Sequence, residues 1–509
     1  MTEPLFHTTC PSCGAPVQIH SATAVTIICS YCSSLLTRQD NSLQDTGRDS
    51  ALLQDFSPLQ IGTTGTYAAQ SFNIIGRLQA KYDSGIWNEW YIKFNDGTDG
   101  WLSESSDQYV IVKHTQSPNN PPEFHTIRAG VTTLDFGKRF IASDVHEITL
   151  SQATAQGELP FRLPENYQNR VSDWRSENAF LTLDYEQTPP LAYLGRTVKL
   201  NELSLGNTRD ETQIRQSAGS LKGTRQSENC PNCGSPVNWI TGATANIICP
   251  SCSSEIDTSN GKAELIAANN MRQAQDTAST LPLGKTGNIN GTHYTVIGLV
   301  RKEEISFSDA YALMNQQNPA GYGVVPQGYW TEYLLYSPSH GFKWLVETPE
   351  DGFSLSETLA DFPRLDAHNR PQGSTKLYDY GSRVSYAAGA FYWHIRANDI
   401  NVYQDYRQGN SKLSAEYSRN ELAWSKSTPI PYQQIAQWFN LGNAPKYTTQ
   451  MKPDPVSRGL VYLMMAVFVI INIPAWLMMG TDGDGFEFSF FVSAVVLFIL
   501  HGVGTSSDD

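Results

Sequence analysis

Residues 10–32 read CPSCGAPVQIHSATAVTIICSYC, and residues 230–252 read CPNCGSPVNWITGATANIICPSC. Both have the form C-x2-C-x15-C-x2-C. Two cysteines separated by two residues wrap a tight turn that aims both sulfurs at one ion, and a second such turn completes a tetrahedral four-thiolate shell. Gly14 and Gly234 follow the second cysteine of their turns, where positive φ is needed. VTIIC and ANIIC, rich in β-branched residues, read as short strands. The expectation is two zinc ribbons, at residues 5–37 and 226–258. Cys10, Cys13, Cys29 and Cys32 hold one structural zinc ion, and Cys230, Cys233, Cys249 and Cys252 hold a second. These are all eight cysteines of the chain, so none is left as a nucleophile. A four-thiolate shell has no open position for substrate, so the ions hold structure. His7 and His20 lie near the first shell and read as surface residues. Paired disulfides are the competing reading. The polar start MTEPLFHTTC shows no secretory leader, which favours thiolates in a reducing compartment.

The ribbons head a longer repeat. IGTTGTYAAQSFNIIGRL from Ile61 answers LGKTGNINGTHYTVIGLV from Leu283, matching Gly62, Thr64, Gly65, Ile75 and Gly76 with Gly284, Thr286, Gly287, Ile297 and Gly298. NEWYIKFNDGTDGWLSE (88–104) answers TEYLLYSPSHGFKWLVE (331–347), matching Glu89, Trp101, Leu102 and Glu104 with Glu332, Trp344, Leu345 and Glu347. The second copy inserts DAYALMNQQNPAGYGVVPQGY between these blocks. FGKRF around Gly137 and Arg139 answers YGSRV around Gly381 and Arg383. Alternation such as E-Y-L-L-Y marks half-buried strands, and NDGTDG and SPSHG supply hairpin turns. The fold class is therefore mainly β, with two small antiparallel barrel or sandwich domains at 58–203 and 281–441. An SH3-like barrel is the expected topology. Helical spacing appears at 263–276 and 431–440. The polar stretches QDNSLQDTGRDS and GNTRDETQIRQSAGSLKGTRQSEN read as mobile linkers.

The net charge of −14, with no Lys or Arg between the outer cysteines of either ribbon, argues against nucleic-acid binding, whose footprint is basic. Two apolar runs lie near the end of the sequence, an uncharged one at 459–480 and one at 486–504 whose Glu487 stands at its start. The first has about the length of a membrane-crossing helix, and the second can span with its flanks at the interface. Lys446, Lys452 and Arg458 precede the first run and no cation follows it. By the positive-inside rule this expects a transmembrane hairpin in a bacterial inner membrane, with residues 1–458 and the tail in the cytoplasm.

No phosphate-cradling, dinucleotide, metalloprotease or nucleophile-elbow motif is present. The histidines of the two domains do not align: His293 faces Ser71, and His394 faces Leu150. The shared pair Glu89/Glu332 is the best acid candidate, but one carboxylate without a partner is no general acid–base constellation. Arg139/Arg383 offer an anion contact or an ion pair.

The pattern G-x-x-G…Y/F-x-V-I-G, then E-Y/W…W-L-x-E, then G-x-F-x-W, resembles the bacterial domain-of-unknown-function 4178 family. The third element is GAFYWHI in the second copy and the weaker DVHEITL in the first. The resemblance covers most of 58–203 and 281–441. It implies small β-rich domains, preceded by zinc ribbons and in some members followed by membrane helices. It carries no catalytic residues. It also implies a setting beside phage-shock-protein-A-like coat proteins, polyamine-synthase-like enzymes and small membrane proteins. The functional expectation is a membrane-anchored, cytoplasm-facing scaffold that binds protein partners, such as those coat proteins or small membrane proteins, in an envelope-stress or membrane-coat system. Duplication would give it two contact surfaces. The alternatives are an enzyme acting around Glu89 or Glu332, and a nucleic-acid-binding ribbon protein.

Overall fold

The computed structural model describes residues 5–39, 42–50, 52, 55–82, 85–105, 108–150, 154–163, 167–218, 220–258, 264–267, 279–317, 324–393 and 395–442, with 468–469 and 472–473. Met1–Pro445 forms one compact unit and Lys446–Asp509 a second.

The first ribbon has strands β1 (Phe6–Thr9), β2 (Pro16–Ile19), β3 (Thr26–Ile28), β4 (Ser34–Gln39) and β5 (Ser42–Asp49). The domain after it has β6 (Thr64–Tyr67), β7 (Gln70–Tyr82), β8 (Gly85–Phe94), β9 (Asp99–Ser105), β10 (Gln108–Thr115), β11 (Thr132–Asp135), β12 (Lys138–Leu150), β13 (Thr154–Leu159), β14 (Tyr167–Ser176), β15 (Ala179–Asp184) and β16 (Leu191–Val198). Helix α1 (Glu211–Ala218) leads to the second ribbon, with β17 (Arg225–Asn229), β18 (Pro236–Ile240), β19 (Asn246–Ile248), β20 (Glu255–Asp257) and β21 (Glu264–Ala267). The second domain has β22 (Thr286–Ile289), β23 (Thr292–Ile305), α2 (Phe307–Met314), β24 (Gly328–Ser337), β25 (Gly341–Thr348), β26 (Gly352–Thr358), β27 (Thr375–Phe391), β28 (Ile400–Gln408), β29 (Ser411–Tyr417), β30 (Leu422–Ile430) and α3 (Tyr432–Phe439). The helix expected at 431–440 is thus α3.

The second domain is a closed antiparallel ring of eight strands, in the order β23-β24-β25-β26-β30-β29-β28-β27, because β27 pairs with both β28 and β23. The first domain repeats the ring as β7-β8-β9-β10-β16-β15-β14, closed by two successive strands: β12 pairs with β14 and β13 with β7. The expected SH3-like topology is therefore replaced by a larger barrel. The long β27 and its split counterpart close it, and neither looks unusual by local alternation. Gly76 and Gly298, matched positions of the repeat, sit mid-strand beside β-bulges. A Cβ on Gly76 would stand 1.8 Å from the Glu158 carbonyl oxygen, and one on Gly298 2.6 Å from the Phe391 ring. Only glycine allows the seam strand to come so close.

The ribbons are built into the barrels. β3 pairs with β13 and β19 pairs with β27, so each ribbon hairpin extends a barrel seam. In the first copy Glu158, 3 % exposed, accepts from the His20 and Ser21 backbone N–H groups at 2.7 and 2.8 Å and lies 2.9 Å from His20 Nδ1. His20 is therefore a clasp between ribbon and barrel, where the sequence suggested a surface residue. Ile240 and Ala390, both buried and apolar, occupy the corresponding places in the second copy.

The outer barrel faces are covered by apolar clusters. Ile435 and Phe439 of α3 pack over Tyr333, Leu335 and Leu345. The two copies also pack on each other: Ile141 of the first joins Phe362, Tyr406, Leu413, Ala415 and Trp424 of the second. Arg139 donates to the Asp366 and Ala367 carbonyls, Arg175 donates to the Ala360 carbonyl at 2.7 Å, and the Val145 N–H donates to the Asn420 carbonyl at 3.0 Å.

Three further expectations change. QDNSLQDTGRDS, read as a mobile linker, supplies β5, and the second linker supplies α1 and all of β17. The helical spacing at 263–276 falls partly on a strand, Glu264–Ala267, paired with β20; most of the remainder lies outside the described residues. The transmembrane hairpin is not supported: among the described residues no helix is long and apolar enough to cross a membrane. α1, α2 and α3 have eight residues each. Such a helix is ~12 Å long, against a hydrocarbon core of ~30 Å. The runs 459–480 and 486–504 lie outside the described residues except Phe468, Val469, Asn472 and Ile473. The assignment to an inner membrane, with its cytoplasmic orientation, falls with the hairpin.

Candidate metal centres and the polar barrel interior

In each ribbon the four Sγ atoms lie within 4.8 Å of one another. Cys10–Cys32 and Cys13–Cys29 are 3.8 Å apart, and Cys230–Cys252 and Cys233–Cys249 are 3.8 and 3.7 Å apart. A tetrahedral ion with metal–sulfur bonds of ~2.3 Å sets its sulfurs ~3.8 Å apart, whereas a disulfide needs ~2.05 Å. The eight cysteines are free, and the donor sets fit two metal ions. The turns are built alike. The Gly14 N–H donates to the Cys10 carbonyl at 2.8 Å, and the Ser33 N–H to the Cys29 carbonyl at 2.9 Å. Gly14 and Gly234 take φ of +78° and +75°, but in the second turn of each ribbon the left-handed residue is Ser33 or Ser253. The Ser34 hydroxyl, 3.2 Å from Cys32 Sγ, brings that thiol down to about 6. Burial pushes Cys252 up, but Ser254 and Asn232 outweigh it and bring the thiol to about 6. Hydroxyl and amide donors beside sulfur favour the thiolate a metal requires. His7 is exposed on β1 and His20 is held by Glu158, so neither joins the shell.

The second candidate site lies inside the barrels, around the shared glutamates. Glu332 Oε2 on β24 is 3.0 Å from Lys302 Nζ on β23, and its Oε1 accepts the Trp330 indole N–H at 2.7 Å. Lys302 donates to the Tyr403 hydroxyl of β28 at 2.7 Å and lies 3.5 Å from Glu416 of β29. Tyr403 and Asn401 donate to Glu416 at 2.6 and 2.5 Å. Because β27 and β28 stand between β23 and β29 in the ring, these contacts cross the barrel interior. Tyr380 stacks on Tyr403 with ring centroids 4.9 Å apart. Burial disfavours the Lys302 charge, yet Glu332 and Glu416 outweigh it and hold the ammonium well above its ordinary value. A lysine so held is no nucleophile at neutral pH.

The first barrel shares the glutamate without its cation. Glu89 accepts from Ser103 Oγ at 2.6 Å and from the Trp87 side chain. Ala80 stands where Lys302 stands in the second copy. Burial pushes Glu89 up to about 7, with nearby Asp173 adding to the rise. Trp87/Trp330 belong to the site and were missed; their position two residues before the glutamate, on the same strand face, was the available signal. A second shared pair, Glu104/Glu347, is a buried anchor. Glu104 accepts from Trp90 Nε1 at 3.0 Å and Glu347 from the Tyr333 hydroxyl at 2.5 Å, and Trp90 and Tyr333 are matched positions. Arg383 pairs with Glu303 at 2.5 Å, while Arg139 holds the 366–369 loop, so neither is a free anion contact. His293 lies on β23, and His394 lies outside the described residues.

The carboxyls extend to where the copies meet. Burial, then Asp144, push Asp173 up to about 6; burial, then Asp144 and Glu416, push Glu421 up to about 7. Burial would lower His146, but Asp144 at 2.6 Å outweighs it and raises it to about 9. An acid raised on folding binds more protons folded than unfolded, so its contribution falls as pH rises from its ordinary value to its raised one. The stability His146 gains from Asp144 is complete below its ordinary value and is lost as pH passes about 9. All four groups act in one direction. The thermal midpoint of the metal-loaded protein should therefore fall by several degrees from pH 6 to pH 9. Glu89→Gln should flatten the part between pH 6 and pH 7, worth about 1.4 kcal/mol before any solvent screening. A midpoint that climbs over this range contradicts the assignment.

Four-thiolate ribbons fused to the seams of two closed β-barrels define a duplicated metal-ribbon–barrel protein. The chain belongs to the family described as Domain of unknown function (DUF4178), whose model matches residues 60–200 and 282–432, one match on each barrel. No curated protein matches the chain.

Proposed function

We propose that this protein is a scaffold that binds other proteins through its ribbons and open sheet edges, with structural zinc as the ion in both ribbons. The observation that carries this reading is apolar surface on an edge strand: Val131, Leu134 and Phe136 flank or lie on β11, the outermost strand of its sheet, and are 40, 78 and 37 % exposed. The first ribbon adds exposed Leu5 and Tyr31. Edge strands with exposed large side chains are places where another chain adds on. The barrel interior supports the same reading, since among the described residues the shared glutamate has a lysine partner in the second copy and none in the first. The two copies pack together, so they would present their surfaces as one rigid body. Phage-shock-protein-A-like coat proteins are the first partners to test.

Full-length tagged protein, purified beside Leu134→Glu and Tyr31→Glu variants, is the test. Quantitative mass spectrometry should show at least one partner reduced roughly ten-fold in a variant that keeps both metal ions, in line with the loss of an apolar anchor. An identical partner set in all three refutes the reading. A second reading, an enzyme acting through Glu89, rests on that half-buried carboxyl sitting at about 7, near the working pH of a general acid. It gains if Glu89→Gln abolishes biological function while partners are retained.

A further inference from the structure

A cavity of about 250 Å³ opens between the second ribbon and the second barrel. Its wall includes Arg225 and Asn238 of the β17–β18 hairpin, Trp239, Leu283, Val296 and Tyr336. Glycines keep it open. A Cβ on Gly223 would stand 2.8 Å from the Tyr336 hydroxyl, and one on Gly389 2.3 Å from the Ile297 carbonyl oxygen. Gly284, also in the wall, has Arg225 Nη2 3.6 Å from the place its Cβ would take, so the guanidinium lies over that turn. Two donors here lack acceptors among the described residues. The Arg225 side chain is exposed and makes no ion pair. The Trp239 indole Nε1 is buried without a hydrogen-bond partner, in a residue only 1 % exposed. A buried N–H without an acceptor is costly and uncommon in folded proteins.

Apolar walls with a few polar groups at fixed places describe a small-molecule site, and this volume lies just under the usual ~300–1,000 Å³ range. We propose that the cavity binds a small organic anion, a short-chain carboxylate, with its charge on Arg225 and its hydrocarbon part against the half-buried Leu283. Trp239 forms the ribbon side of the wall. The ligand would sit on the junction that joins the metal centre to the barrel. The site belongs to the second copy alone. At the matching ribbon positions the first copy has Leu5 and Ile19, and its Lys93, at the place of Tyr336, already faces Asp99 at 4.0 Å. The proposal is independent of the scaffold reading.

The test is fluorine NMR of the full-length, metal-loaded chain labelled with 5-fluorotryptophan. Trp239→Phe assigns the signal. Sodium hexanoate should shift the Trp239 resonance saturably, and Arg225→Gln should weaken that response at least about ten-fold, the usual loss for a hydrogen bond to a charged group. Hexanol at equal concentration should leave the signal in place. Arg225 is exposed, so its replacement keeps the fold, checked by the unshifted position of the Trp239 signal without ligand. No shift with hexanoate, an equal response in Arg225→Gln, or an equal shift with hexanol overturns the proposal.

Discussion

Replacing Cys249 by serine is expected to lower the bound metal from two ions per chain to one and to open the seam of the second barrel. Cys249 follows Ile248 directly, and Ile248 pairs with Gly389 of β27. Ile240, Ala243 and Ile248 of the ribbon also belong to the cluster formed by Val300, Leu334, Val384 and Phe391 of the barrel. A ribbon is too small to hold itself by apolar burial, so the ion carries its folding, worth ~10–16 kcal/mol in zinc-finger peptides. When a ligand is lost, β19 loses its anchor, and the β27 edge it covered is exposed. Elemental analysis gives the ion count. Hydrogen exchange over Thr375–Phe391 gives the seam, and its protection should fall sharply. Zero or one ion in the folded wild-type chain contradicts the metal centres. Unchanged exchange in β27 contradicts the coupling. The sequence alone suggests separate ribbons on mobile linkers, which would confine the damage to residues 226–258.

The difference shows what the sequence can carry. The metal centres were legible because each knuckle is a local object: two cysteines, one turn, and a spacing that geometry demands. The repeat was legible for the same reason, since Gly62/Gly284 and Glu89/Glu332 recur in matched blocks. Barrel closure depends on pairing across long separations. β27 meets β23 some eighty residues away, as in Glu303 with Arg383, and β13 does the same work in the first copy after a break. No alternation pattern records which strand a strand will meet. The interior cluster was hidden differently. Comparison of the copies singles out Glu332 because Glu89 matches it, but cannot single out Lys302, whose matching residue is Ala80. The terminal apolar runs fall almost wholly outside the described residues, and no described helix is long and apolar enough to cross a membrane. Trp87 and Trp330 were within reach, since period two puts each on the face of its glutamate.

Lys302→Met is expected to destabilise the protein by about 3–5 kcal/mol, because it leaves carboxylates in the barrel interior without their cation. Methionine keeps much of the lysine stem, so the loss reports the charge more than the volume. Lys302 and Glu332 have side chains only 6 and 16 % exposed, which limits rescue by water. Glu332→Gln alone should cost less, since Trp330 can still donate to the amide oxygen and Lys302 keeps Glu416 at 3.5 Å. In the double variant the two losses should not add. Removing both charges relieves the unpaired carboxylate, and the coupling should exceed about 1 kcal/mol, as contacting charge pairs do. Urea unfolding of all four proteins at pH 7.5, with metal retained, measures the cycle. Additive losses, or a Lys302→Met cost under about 1 kcal/mol, would mean that the ion pair holds nothing together. The same cycle bears on function. If Glu332→Gln keeps partner binding and most of the stability, the glutamate serves the barrel that carries the surfaces. If it keeps stability and binding but loses the biological effect, the interior is where the chemistry lies.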